Sequence, residues 1–209
     1  AITTTGNITV GGVITATTFN GIPFFSDATN NSMYTHDVSG TDSTAASNTA
    51  YGFAAMDAIT TGDDNTAIGK SAGSAIAAGG RNVAIGSYAL QAEDGDGRNV
   101  AIGYRSLLVQ NAGANAYNVA IGYDAGLAVS TGVRNVIMGG IAGDALTTGG
   151  HNVAIGYGAL STEDAHGRNV AIGSGALYAQ DAGADAYNVA IGYDAGQAVT
   201  TGVQNTIVG

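Results

Sequence analysis

NVAIGSYALQAEDGDGRNVAIG, residues 82–103, carries the same five-residue phrase twice, first from Asn82 and again from Asn99. The phrase Asn-Val-Ala-Ile-Gly, or a close variant, begins at Asn65, Asn82, Asn99, Asn118, Asn135, Asn152, Asn169, Asn188 and Asn205. A weaker copy, Asn48-Thr49-Ala50-Tyr51-Gly52, precedes them. Successive starts are seventeen positions apart, except from Asn99 to Asn118 and from Asn169 to Asn188, where the step is nineteen. The two longer units recur at an offset of seventy, and residues 152–173 (NVAIGYGALSTEDAHGRNVAIG) match residues 82–103 at that same offset. A fixed period of this size marks a repeat architecture: one unit cannot bury its apolar residues alone, and stacked units share a continuous core.

Inside the pentad the alternation has period two, as a half-buried strand requires. On that rule Val83 and Ile85 form the core face. Asn82, Ala84 and Gly86 form the other, small enough for another layer or chain to approach closely. After each strand, sets such as Ala72, Gly73, Ala75, Ile76 and Ala125, Gly126, Ala128, Val129 have spacings of three and four, which predict a single docked helical turn. Gly79, Gly113, Gly132, Gly149, Gly183 and Gly202 fall near unit ends, where a positive φ would turn the chain back. Five residues past the strand Ile, Gly73, Leu90, Leu107, Gly126, Gly143, Leu160, Leu177 and Gly196 alternate in size. Such relief requires a matching surface, in the same chain or in a second copy.

The expected fold is therefore mainly β: an elongated parallel β-solenoid, or β-roll-like repeat, with short helical turns. Val/Ile pairs stack in register, and the recurrent Asn65, Asn82, Asn99, Asn118, Asn135, Asn152, Asn169, Asn188 and Asn205 form a ladder of side-chain amides along the axis. Nine complete units at about 4.8 Å per rung give a rod about 45 Å long. Three regions are expected: an N-terminal β-strand region at 1–22, with strands at 8–10 and 13–17; a loop-rich connector at 23–47; and the solenoid at 48–209. The chain starts at Ala1 without an initiator Met and stops in mid-unit at Gly209, so a piece of a longer rod is expected.

Composition agrees with a thin repetitive core. Of 209 residues, 34 are Gly, one is Pro and none is Cys or Trp; 45% are hydrophobic but only 11% charged, against about 25% charged and about 7% Gly in an ordinary domain. The apolar fraction argues against global disorder. A net charge of −10 disfavours nucleic acid and anionic membrane surfaces as partners. Without cysteine there is no disulfide framework and no thiolate chemistry, and no apolar run is long enough to span a membrane.

Candidate chemistry is sparse. His36, His151 and His166 have no His or Cys at ligand spacing and read as exposed loop residues. Glu93-Asp94 and Glu163-Asp164 recur four rungs apart, about 19 Å, too far for a glycosidase pair. Asp164 follows Asn152 at the same offset as Asp181 follows Asn169, which puts the two carboxylates one rung apart. They are the candidate metal ligands, for Ca²⁺; a hydrated corner is the plainer reading. Asp94-Gly95-Asp96-Gly97 lacks the Glu of a calcium loop, and Gly69-Lys70-Ser71 lacks the first Gly of a phosphate loop. Tyr104, Tyr123, Tyr157 and Tyr193 recur just after the strand. Such a column of rings either packs on itself or stacks on sugars.

The repeats Asn65-Thr66-Ala67-Ile68-Gly69 followed by Ser-Ala-Gly, and the opening Gly6-Asn7-Ile8-Thr9-Val10-Gly11-Gly12-Val13-Ile14-Thr15-Ala16-Thr17, resemble phage tail-fibre proteins of the marine and cyanobacterial type. The pentad is more distantly similar to repeats in the heads of trimeric autotransporter adhesins, whose units are shorter than these. The resemblance implies a homotrimer, partnered by other virion or fibre proteins and by a host surface glycan, located on the virion or outside the cell. The expected role is a non-enzymatic fibre spacer with a part in attachment. The alternatives are a bacterial adhesin or self-assembling filament subunit, and then a polysaccharide-degrading spike.

Overall fold

The computed structural model describes residues 18–19, 22–23, 25–27, 32–35 and 43–209, apart from 96 and 164. The strands expected at 8–10 and 13–17 lie outside the described residues. A short hairpin pairs β1 (Thr18–Phe19) with β2 (Ile22–Pro23). Next, β3 (Phe25–Asp27) pairs antiparallel with β4 (Ser32–Tyr34). From β4 onward every pairing is parallel: β5 (Thr49–Tyr51), β6 (Thr66–Ile68), β7 (Val83–Ile85), β8 (Val100–Ile102) and β9 (Val119–Ile121), then β10 (Val136–Met138), β11 (Val153–Ile155), β12 (Val170–Ile172), β13 (Val189–Ile191) and β14 (Thr206–Val208). The chain is a β-solenoid with one three-residue strand per coil. The ladder already takes in β4, because Met33 pairs with Thr49 and Tyr34 with Ala50.

Stacking is in register. Val83 lies over Val100 and Ile85 over Ile102, and each neighbouring pair repeats the match. The longer units do not disturb it: Val100 still pairs with Val119 and Val170 with Val189, so the extra pair of residues stays in the connecting loop.

Which face is inside is the reverse of the expectation. Ala84, Ala101, Ala120, Ala154, Ala171 and Ala190 are fully buried, and the flanking Val and Ile are half-buried or exposed. The cause is the thinness of the coil. The strand's inward residue faces the opposite turn at short range, and a methyl group fills the gap. A larger residue enters only opposite glycine: a Cβ on Gly126 would lie 3.0 Å from Ile137 Cδ1, and one on Gly196 2.9 Å from Ile207 Cδ1.

The Gly/Leu alternation is matched within the chain. Gly73, Gly126, Gly143 and Gly196 are followed three positions later by Ile76, Val129, Leu146 and Val199, while Leu90, Leu107, Leu160 and Leu177 are followed by Glu93, Gln110, Glu163 and Gln180. All four of those Leu, with Glu93, Gln110, Glu163 and Gln180, are fully buried. Where Gly takes the first position, the aliphatic side chain three residues on reaches over it, a Cβ on Gly73 lying 2.7 Å from Ile76 Cδ1; where Leu takes it, the second residue is a Glu or Gln that bonds the asparagine ladder.

No helix forms among the described residues; the spacing of three and four comes from successive turns. In one coil Tyr88 (φ 61°) and Leu90 (φ 49°) take left-handed backbone, and Leu90 N–H donates to Ser106 O of the next coil rather than within a helix. The return glycines also serve a different purpose from the expected one at most positions. Gly132 and Gly149 have ordinary φ; a Cβ on them would collide with the backbone oxygens of Gly149 and His166 in the next coil. Positive φ falls instead on the residue before each Asn, as at Arg81 and Arg98, although Gly113 and Gly183 in the long loops do adopt it.

The asparagine ladder is present, buried from Asn65 to Asn188 and half-buried at Asn205, but its bonds run mainly to the backbone. Asn82 N–H donates to Asn65 Oδ1 (2.9 Å), and Asn99 N–H to Asn82 Oδ1 (3.0 Å). The Nδ2 is then available to cap its own coil, as Asn65 does on Gly79 O at 2.8 Å. At the end of the rod one amide meets another, Asn205 Nδ2 donating to Asn188 Oδ1 at 3.0 Å. The core Glu and Gln join this network: Asn99 Nδ2 donates to Glu93 Oε2 (3.1 Å) and Asn118 Nδ2 to Gln110 Oε1 (2.8 Å). These bonds offset much of the cost of placing polar side chains inside the coil, although Gln110 Nε2 and Gln180 Nε2 are buried without a protein partner.

Candidate functional site

Among the described residues, two places bring chemistry-bearing side chains together. The first is a corner of the second super-repeat. Of the candidate Ca²⁺ ligands, Asp164 lies outside the described residues. Asp181 is exposed and meets Glu163 and His166, with one donor atom from each within 4.8 Å of the others. His166 is half-buried, not the exposed loop residue expected, whereas His151 is exposed and His36 lies outside the described residues. An imidazole with two carboxylates is a mixed donor set, better matched to a cation such as Zn²⁺ than to the all-oxygen shell Ca²⁺ takes. The contacts also stand without an ion: His166 N–H donates to Glu163 Oε1 at 3.1 Å, and His166 Nδ1 lies 3.5 Å from the same oxygen.

The second is the flank beside the strand, where the tyrosines lie. Left-handed turns just after each strand Gly direct two successive side chains outward, so residues from consecutive coils form columns. Tyr104 and Tyr123 stack, with ring centres 5.6 Å apart and planes 15° apart, and Tyr88 packs edge-on against Tyr104 at 6.2 Å. Gly140 and Ser174 then interrupt the column, so Tyr157 and Tyr193 stand apart, 65% and 78% exposed. The four predicted rings are thus one stacked pair and two separate rings.

Cations line the closed part of this flank. Lys70 Nζ sits 5.2 Å from the centre of the Tyr88 ring, and a hydrogen bond to Tyr88 raises its pKa. The Arg105 guanidinium lies 5.1 Å over Tyr104 and binds Asp124 with two nitrogens, at 2.9 and 2.5 Å; that bond raises its pKa. On another edge Arg168 Nε donates to Asp185 Oδ2 at 2.7 Å. The Arg168 bond, joined by one from Gly167 N–H, holds Asp185 below the usual carboxylate range.

In the second super-repeat the flank opens into a recess of ≈ 250 Å³ bounded by Tyr157, Gly158, Ser174, Gly175, Tyr178, Tyr193, Asp194 and Gln197. Apart from Tyr157 and Tyr193, the motifs and spacings of the sequence do not single these out. Aligning the chain on itself at the super-repeat offset exposes them, because Tyr88, Tyr104 and Arg105 become Gly158, Ser174 and Gly175. The same alignment marks the metal-type corner, where Asp96 and Asn111 become His166 and Asp181.

Fold and flank together define the class: a repetitive single-sheet β-solenoid with an aromatic, carboxylate-bearing side. No protein family, no curated protein and no solved structure matches the chain. No helix among the described residues is long and apolar enough to cross a membrane.

Proposed function

We propose that the chain is a shaft segment of a virion or extracellular fibre, of the phage tail-fibre kind. It self-associates as a homotrimer, serves as a spacer and contributes to host attachment without catalysis. The observation that carries this reading is the outward face of the ladder. Val and Ile from β7, β8, β9, β11 and β12, with Met138 and Ile191 on β10 and β13, form an apolar ribbon along the rod, half-buried or exposed, Met138 at 38% and Ile191 at 41%. Contiguous apolar surface of this extent marks an interaction face in water, and a ribbon parallel to the axis suits copies lying side by side. The exposed tyrosines on the neighbouring flank would remain outside such a bundle, where rings can stack on host sugars.

Light scattering with negative-stain imaging tests the assembly. Finite trimeric rods are expected, and Val100→Lys with Val119→Lys should give monomers that keep their far-UV spectrum. Wild-type monomers at all concentrations would refute the proposal. Open filaments would instead support a self-assembling surface filament.

A further inference from the structure

The same flank is closed in one super-repeat and open in the other. In the first, Arg105 Nε and a terminal nitrogen grip Asp124, whose side chain is 7% exposed, and Tyr104 and Tyr88 pack beside them. One super-repeat later the three space-filling side chains are gone: Gly158, Ser174 and Gly175 replace Tyr88, Tyr104 and Arg105. The receiving groups are kept or enlarged. Asp194 stands for Asp124 and Tyr193 for Tyr123, while Tyr157 and Tyr178 appear where the first copy has Ser87 and Leu108. Asp194 is more open than Asp124 and leans into the freed space, so that a Cβ on Gly175 would collide with its Oδ1. Gln197 Nε2 donates to that oxygen at 2.9 Å.

We propose that this recess binds a guanidinium group from another molecule, its N–H fork on Asp194 and its plane against the tyrosine rings. A planar cation with paired donors matches a carboxylate bidentately and stacks on aromatic faces. The chain supplies the precedent at Arg105, and its net charge of −10 favours approach of cations. The guanidinium comes either from free arginine or from an arginine on a partner protein. The inference does not rest on the fibre reading: it concerns one coil surface, whatever the assembly.

The test follows the Tyr157, Tyr178 and Tyr193 ring signals by NMR while free L-arginine, or the blocked peptide acetyl-Gly-Arg-Gly-amide, is titrated into the full chain. Saturable shifts are expected with one or both. Tighter binding of the peptide points to a protein partner, and equal binding to the small molecule. Asp194→Asn should weaken binding about tenfold or more, as expected for losing a charged, two-pronged contact. Gly175→Arg should abolish it by placing the chain's own guanidinium in the recess. The backbone there admits arginine, since Arg105 takes φ 53° where Gly175 takes 69°, and the one close contact, with Asp194 Oδ1, is relieved by rotating the end of that side chain toward the new guanidinium. If Gly175→Arg loses its far-UV spectrum, Asp194→Asn alone decides. The proposal fails if no shift saturates, if binding survives Asp194→Asn, or if methyl glycosides saturate the same rings and arginine does not.

Discussion

Residues 82–127 and 152–197 follow the same path with nearly the same interior, buried Ser106 giving way to Ala176, and differ chiefly on the outside. Both have Leu followed by a buried Glu in one coil and Leu followed by a buried Gln in the next. Both keep Arg over Tyr before the long loop's end, Arg98 on Tyr117 and Arg168 on Tyr187, each at 5.5 Å. Outside, the first copy closes its flank with Arg105 and Asp124. The second opens it and places an ion pair elsewhere, Arg168 with Asp185, where the first has Asn115. In a solenoid the inward positions are constrained by the coils above and below. Outward positions touch only nearby surface side chains, so a duplicated block can acquire a new surface at little cost to its core.

The comparison breaks most visibly in the core. Leu90→Ala and Leu160→Ala each remove a fully buried side chain from equivalent layers and should each lower stability by about 2–5 kcal/mol in denaturant titrations. Equal losses would confirm that the interiors are interchangeable; a large inequality would show that the surfaces feed back on them.

A smaller effect tests the packing over the inward glycines. Gly126→Leu mimics the Leu coils, whose Leu90 and Leu107 hold φ 49° and 48°, but here it meets Ile137 and Val129. The expected cost is about 1–3 kcal/mol of overpacking. Adding Ile137→Ala should recover most of it, measured as a double-mutant cycle.

The smallest effect is electrostatic. Asp185 has a lowered pKa in the folded chain, so its contribution is present above the unfolded carboxylate value, about 4, and is lost as pH falls through the lower folded value. Solvent screening keeps the contribution of so exposed a pair small. Asp185→Asn, which copies Asn115, should remove it at neutral pH and flatten the acid limb of a stability-versus-pH curve.

Period, register and the positions of the ladder were legible because they depend only on recurrence: Asn65 to Asn205 and the Val/Ile pairs stack where the spacing puts them. The inside face was not. Hydropathy alone assigns Val83 and Ile85 to the core, but so short a coil leaves room for Ala84 and buries Asn82, whose amide has backbone partners. The turns misled for a related reason: inward positions three apart look helical whether they come from a helix or from paired turns such as Gly73–Ile76. The tyrosine column was visible, and the recess was not, because a pocket made by Gly158 and Gly175 is defined by what a sister coil has and this one lacks.

The one-coil-on-the-next bonding of the ladder has a mechanical consequence. Tension applied along the axis loads the rungs in series, and each strand resists with a very short stretch of pairing. Coils at a loaded end would peel away singly, each converting a step of about 4.8 Å into an extended segment of about 60 Å. Pulled lengthwise, the rod should therefore yield in a sawtooth of even teeth, with slightly longer ones where the two longer coils let go.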